Sequence, residues 1–180
     1  MSVLYLQNVG NGNAYATVNG LPQPGEGVIC EPFMGAPAQQ WLAAQYPGTD
    51  PSNGGGVVFA LYSAENVGAG LVLTAGPCQQ PVTLQPFQQY NLSQLWSYAG
   101  PGGVLVNLAT GCMLDSNGGA PGANVQTWPQ LGNVNQSWSL LTESDARHAA
   151  DAAAEVDVAA PRKARGKRVP AGSRPGRRAG

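Results

Sequence analysis

Five residues in the stretch 103–140 could do chemistry together: Asp115, Gln126, Trp128, Asn135 and Gln136. A carboxylate accepts hydrogen bonds, and a charge-assisted bond is roughly twice as strong as a neutral one. A primary amide both donates and accepts. An indole offers an apolar, electron-rich face. Such groups suit noncovalent recognition better than catalysis. Glycoside hydrolysis needs two carboxylates about 5–9 Å apart, and the other acids before residue 143, Glu26, Glu31, Asp50 and Glu65, stand far from Asp115 in the sequence. His148 is the single histidine and lies beyond residue 142, so a Ser or Cys nucleophile would lack a base. No His/Cys/Asp cluster has metal-ligand spacing. Neither an enzyme nor a bound cofactor is expected.

The surrounding pattern is threefold. The stretch ends on Gln136-Ser137-Trp138, and the same Gln-x-Trp triplet occurs as Gln39-Gln40-Trp41 and Gln94-Leu95-Trp96. Trp128, the fourth tryptophan, has no counterpart in the other copies. A tryptophan present three times points to structure, and a lone aromatic beside polar residues points to a site. Trp96 and Trp138 are 42 residues apart, while Trp41 and Trp96 are 55 apart; the excess matches the turn-forming run 45–56. Without that run the period is near 42 throughout, in the range of repeat architectures. Copies at about 1–44, 57–99 and 103–142 follow.

Each copy reads as four short strands between Gly, Pro and Asn turns. They fall at 3–9, 14–18, 27–33 and 39–44, then at 57–62, 71–74, 82–86 and 94–98. The third set is 104–109, 112–116, 124–128 and 137–141. Glycine pairs such as Gly118-Gly119 supply the positive φ that tight hairpins require. No helical period appears before residue 143. The expected fold is all-β, with three four-stranded repeats in pseudo-threefold symmetry.

Three repeats of this length, each closed by Gln-x-Trp, resemble the ricin-B-type β-trefoil lectins over residues 1–142. The resemblance implies that Trp41, Trp96 and Trp138 pack in a common core and that each triplet Gln braces a neighbouring loop. It also implies a sugar pocket in the third repeat. Asp115 follows Cys112-Met113-Leu114 where the family carries its sugar-binding Asp. Gln126 and Trp128 follow Val125 as Val-Gln-x-aromatic, and Asn135-Gln136 opens the closing triplet. The pocket chemistry fits a pyranose, whose C–H face meets a ring and whose vicinal hydroxyls meet a carboxylate. The bland alternatives are that Asp115 caps the Asn117-Gly118 turn and that Trp128 is a core residue beside Pro129. In the first copy the matching positions are Val18, Glu31 and Ala38; in the second they are Leu73 or Thr74, Gln85 and Ser93. Neither copy has both a ring and a carboxylate, so one working site is expected. The family often has a disulfide within a repeat; the matching position here is Pro129 or Gln130, which leaves Cys112 without a local partner.

Charge divides the 180 residues sharply. Residues 1–142 hold no Lys or Arg and five acids, whereas 143–180 hold nine Lys/Arg and five acids. With no cation in the repeats, Asp115 has no cationic side-chain partner there. The region 143–180 is expected to be a basic, disordered tail, with a frayed helix at most near its start. Nucleic-acid contact is expected only through that tail, which has no aromatic to stack on bases. The N-terminus lacks the marks of a signal peptide, and no apolar run is long enough to span a membrane. Three widely spaced cysteines suit a reducing compartment better than a disulfide framework. Cytoplasmic location, or release without a signal peptide, is expected. The resulting reading is a glycan-binding lectin domain with a galactose- or N-acetylgalactosamine-type preference; the alternative is a protein-interaction or structural trefoil that binds no sugar.

Overall fold

The computed structural model describes residues 3–11, 14–46, 57–98 and 100–159. The first repeat contributes β1 (Val3–Asn8), β2 (Ala14–Val18), β3 (Val28–Glu31) and β4 (Trp41–Gln45). The second contributes β5 (Val57–Ser63), β6 (Leu71–Thr74), β7 (Thr83–Pro86) and β8 (Trp96–Tyr98). The third contributes β9 (Leu105–Asn107), β10 (Met113–Asp115), β11 (Gln126–Trp128) and β12 (Trp138–Leu141), followed by helix α1 (Glu143–Ala159).

Antiparallel pairing joins β1 to β4 and β12, β4 to β5, β5 to β8, and β8 to β9. A bridge between Gly103 and Trp138 brings the start of the β9 segment to β12 and closes the ring. Six strands thus make a barrel. The hairpins β2–β3, β6–β7 and β10–β11 cover one end and touch one another through the bridges Gly27–Thr83, Ile29–Asn124 and Pro81–Gln126. This is a β-trefoil.

The core repeats with the strands. Trp41, Trp96 and Trp138 are fully buried, together with Leu6, Leu61 and Leu105. A buried indole N–H must find an acceptor. Each donates to a cap-strand carbonyl: Trp41 to Ala16 at 3.0 Å, Trp96 to Leu73 at 3.0 Å and Trp138 to Leu114 at 2.9 Å. The preceding Gln clamps a loop from both ends of its amide. Gln39 donates to the Pro32 carbonyl and accepts from Met34 N–H. Gln94 does the same with Pro86 and Gln88, and Gln136 with Pro129 and Leu131. These Gln residues end short 3-10 turns, whereas Gln39 and Gln94 are expected from the sequence to open strands.

Opposite the three tryptophans stand Ser63, Asn107 and Asn8. The Asn107 amide donates to Leu92, Ser93 and Leu95 carbonyls, and that of Asn8 to Val134, Asn135 and Ser137. Ser63 is too short for this, and its buried hydroxyl has no hydrogen-bond partner among the described residues.

Two expectations need correction. Cys112 does have a partner: it forms a disulfide with Cys78, 34 residues earlier. The partner comes from the second repeat, because Gln79 N–H bonds Thr127 and Val82 N–H bonds Val125, which bring the loop before β7 against β11. Of the three cysteines only Cys30 is free, and it is buried. The start of the expected tail is ordered as helix α1, whereas residues 160–180 lie outside the described residues. Thr142 caps the helix, accepting from Asp145 N–H and donating to its carboxylate, close to a capping box. Ala146 is fully buried against Tyr5, Tyr15, Phe33 and Leu141, and Tyr15 Oη donates to its carbonyl.

Three measurements test this description. Ser63→Asn, which restores the amide of the other two copies, is expected to stabilise the fold by about 1 kcal/mol; a lower denaturant midpoint would refute the equivalence. Ending the chain after Thr142 uncovers the Tyr5–Tyr15–Phe33 cluster and should cost about 1–3 kcal/mol, whereas ending it after Ala159 should leave the melting temperature in place. Reducing Cys78–Cys112 frees a loop of 34 residues and should cost about 3–4 kcal/mol, read as a shift between urea curves with and without dithiothreitol.

Candidate functional site

The β10–β11 hairpin and the 3-10 turn Val134–Gln136 surround a pocket of about 250 Å³. Alternation along a strand sends side chains to opposite faces. Leu114 and Thr127 face inward and are fully buried. Asp115 lies directly across the ladder from Gln126, and Met113 from Trp128, so Asp115, Gln126 and Trp128 share the outer face. Asn135 arrives from the 3-10 turn and faces them. Leu131, Asn117 and Asn133 complete the wall.

Four of the five residues expected at the site, Asp115, Gln126, Trp128 and Asn135, therefore meet in this pocket. Gln136 does not. It is 1% exposed, and both ends of its amide hold the Pro129–Leu131 loop that follows Trp128. Its role is to position the loop behind the pocket.

Asp115 is 3% exposed, yet only half engaged. One carboxylate oxygen accepts from Asn117 N–H at 2.7 Å, so Asp115 does cap the Asn117-Gly118 turn. The other oxygen accepts from no described residue, and the residue lines the pocket. Trp128 is half-buried, unlike the three core tryptophans. Asn135 is held by its backbone: its N–H donates to the Asn133 side chain at 3.1 Å, and its carbonyl accepts from Ser116 N–H at 3.0 Å and from Asn8 at 2.8 Å. Asn11 donates to the Asn135 side-chain oxygen at 3.2 Å, which leaves the Asn135 NH₂ to donate elsewhere. Asn11 approaches so closely that a Cβ on Gly119, at φ +67°, would lie 2.6 Å from its own Cβ. Only glycine fits there.

Beneath the pocket lies Cys30, whose thiol donates to the Ser116 carbonyl. Burial, reinforced by the charges of Asp115 and Glu31, pushes its pKa up to about 12. The thiol is neutral and inert at ordinary pH. Among the described residues no group of His, Cys, Asp and Glu could hold a metal ion.

The other two copies fill the same places differently. The indole-to-carbonyl bonds make Thr17, not Val18, the counterpart of Asp115 in the first copy, since each residue follows the carbonyl its tryptophan binds. Thr74 is the counterpart in the second copy. Both threonine hydroxyls are satisfied internally, donating to Tyr15 and Val72 carbonyls and accepting from Gln39 and Gln94. In place of Trp128 stand Glu31 and Gln85, each just before its clamped proline.

Asn133, Asn117 and Leu131 were not foreseen. A signal for Asn133 was present: Asn91 and Asn133 both stand three residues before a triplet Gln, and both cap their 3-10 turn.

No protein-family model and no curated protein matches the sequence. Solved structures do share the fold. The designed threefold-symmetric protein ThreeFoil superposes with TM-score 0.64 at 21% identity, covering 77% of this chain and 97% of that one. The earthworm R-type lectin C-half, solved in complex with GalNAc, gives 0.57 at 21% identity, covering 79% of this chain and all of the other. A mosquitocidal holotoxin gives 0.64 at 16% identity over 79% of this chain, but only 16% of its own length is spanned.

Proposed function

We propose that residues 1–142 form a carbohydrate-binding domain whose one complete carboxylate-plus-aromatic site is the pocket of Asp115, Gln126, Trp128 and Asn135. The observation that carries this is Asp115: a nearly buried carboxylate with one oxygen tied to its own turn and the other bonded by no described residue, in a domain without a single Lys or Arg. A buried charge is costly unless it is hydrogen-bonded. A pair of vicinal sugar hydroxyls meets that need, while the exposed part of the Trp128 face meets the C–H side of the ring. Gln126 and the Asn135 NH₂ supply further polar contacts along the ring edge. A galactose- or N-acetylgalactosamine-type sugar is the ligand of this reading, and the GalNAc complex of the earthworm lectin, which shares the fold, supports it.

The pocket holds one carboxylate, whereas glycoside hydrolysis uses two. The function is binding without turnover. The Cys78–Cys112 disulfide suits an oxidising environment and favours release from the cell over retention in the cytoplasm.

Calorimetric or NMR titration with galactose and N-acetylgalactosamine tests the site. Millimolar affinity is expected, on the order of −4 kcal/mol. Asp115→Asn keeps the turn cap and removes the charge, so it should weaken binding by about 1–3 kcal/mol, and Trp128→Ala by a similar amount. Glu31→Ala and Gln85→Ala, at the matching places of the other copies, should bind as the unaltered protein does. If Asp115→Asn and Trp128→Ala leave affinity untouched, the trefoil is a protein-interaction or structural module instead.

A further inference from the structure

The threefold frame exposes a second concave surface, in the second repeat. In the first repeat, Tyr5 lies opposite Leu141 and, with Tyr15 and Phe33, is covered by Ala146 of α1. The register places Ala60 opposite Ala44 in the same way, and Phe87 follows its clamped proline as Phe33 does. At this counterpart the described residues form a groove of about 500 Å³. Its walls are Tyr46, Tyr62 and Phe87, with Gln45 and Gln89 at the edge. The rings of Tyr62 and Phe87 lie 5.6 Å apart, tilted by 41°.

Tyr90 stands at the rim. It is 74% exposed, its ring lies 6.4 Å from that of Tyr46, and its backbone is left-handed at φ +66°. A bulky residue is strained in that region, and glycine would relieve the strain. Backbone strain spent on holding an exposed ring at the mouth of an aromatic groove points to a ligand.

We propose that this groove is a second saccharide site, separate from the Asp115 pocket, and that it takes a neutral oligosaccharide of two or three pyranose units. The volume falls within the range of small-ligand sites. The rings offer faces to successive C–H surfaces. The side-chain amides of Gln45 and Gln89 bond no described residue and can donate to or accept from hydroxyls. Among the described residues that line the groove none is charged, so they offer an anionic sugar no ion pair. The site does not depend on Asp115 or Trp128.

The test uses the full chain carrying Trp128→Ala, which silences the other pocket, labelled with ¹⁵N and titrated with cellotriose and with triacetylchitotriose. Either trisaccharide should shift resonances of Tyr46, Tyr62, Phe87 and Tyr90. Adding Tyr90→Gly should weaken that binding roughly three- to tenfold, while the melting temperature holds or rises. Absence of shifts with both trisaccharides overturns the site. So does unchanged affinity in Tyr90→Gly, or concentration-dependent self-association that Tyr90→Gly abolishes, which would make the groove a contact between copies. Loss of galactose binding in the unaltered protein would count against the Asp115 pocket alone.

Discussion

Everything in this trefoil hangs on three indole N–H groups. A tryptophan sealed in a core loses water as an acceptor, and an unmet N–H there costs on the order of 1–3 kcal/mol. Trp41, Trp96 and Trp138 each solve this in one way, by bonding the backbone of the cap hairpin above. That bond ties barrel to cap. The adjoining Gln then fixes the loop after the third strand of the same repeat, so one short triplet sets the positions of three separate chain segments. The frame is therefore rigid at the residue following the bonded carbonyl, and that residue is Thr17, Thr74 or Asp115.

Those three residues differ in how their hydrogen bonds are met. A threonine there closes its hydrogen bonds within the protein: it donates to its own strand and accepts from the triplet Gln. An aspartate cannot donate to its own strand carbonyl; it accepts from the Asn117 turn instead, and Gln136 bonds only Pro129 and Leu131. The carboxylate keeps one lone-pair set for the Asn117 turn and presents the other outward. A single change of side chain converts a self-satisfied position into an open acceptor, and the neighbouring Trp128 adds a ring where the other copies have Glu31 and Gln85.

Much of this was legible from sequence, for local reasons. The triplet period marked the repeats, and the resemblance it carries grouped Gln126 and Trp128 with Asp115. What escaped was what crosses between repeats. Cys78 and Cys112 meet because two hairpins abut in the cap, a geometry that no spacing within one repeat can show. Ala146 is one small residue in an alanine-rich run, and only the uncovered Tyr5, Tyr15 and Phe33 reveal its use. The counterpart of Asp115 slipped from Thr17 to Val18 because hairpin lengths differ between copies: the spans are 17 to 41, 74 to 96 and 115 to 138. Counting back from a tryptophan misses by one, and one residue turns a side chain to the opposite face.

The pairing of β1 with β12 carries a kinetic consequence. Four residue pairs join these strands, and Asn8 reaches across to hold the turn before the last triplet. The seam of the barrel is thus made of the trefoil's own first and twelfth strands. During translation, at ~5–20 residues per second, β1 must wait many seconds with one edge unpaired. Such an edge is a template for the wrong partner. Its Tyr5 and Gln7 break up an apolar run, and the barrel closes only once β12 is present to pair with it. Contacts this distant in sequence place the domain among slow folders.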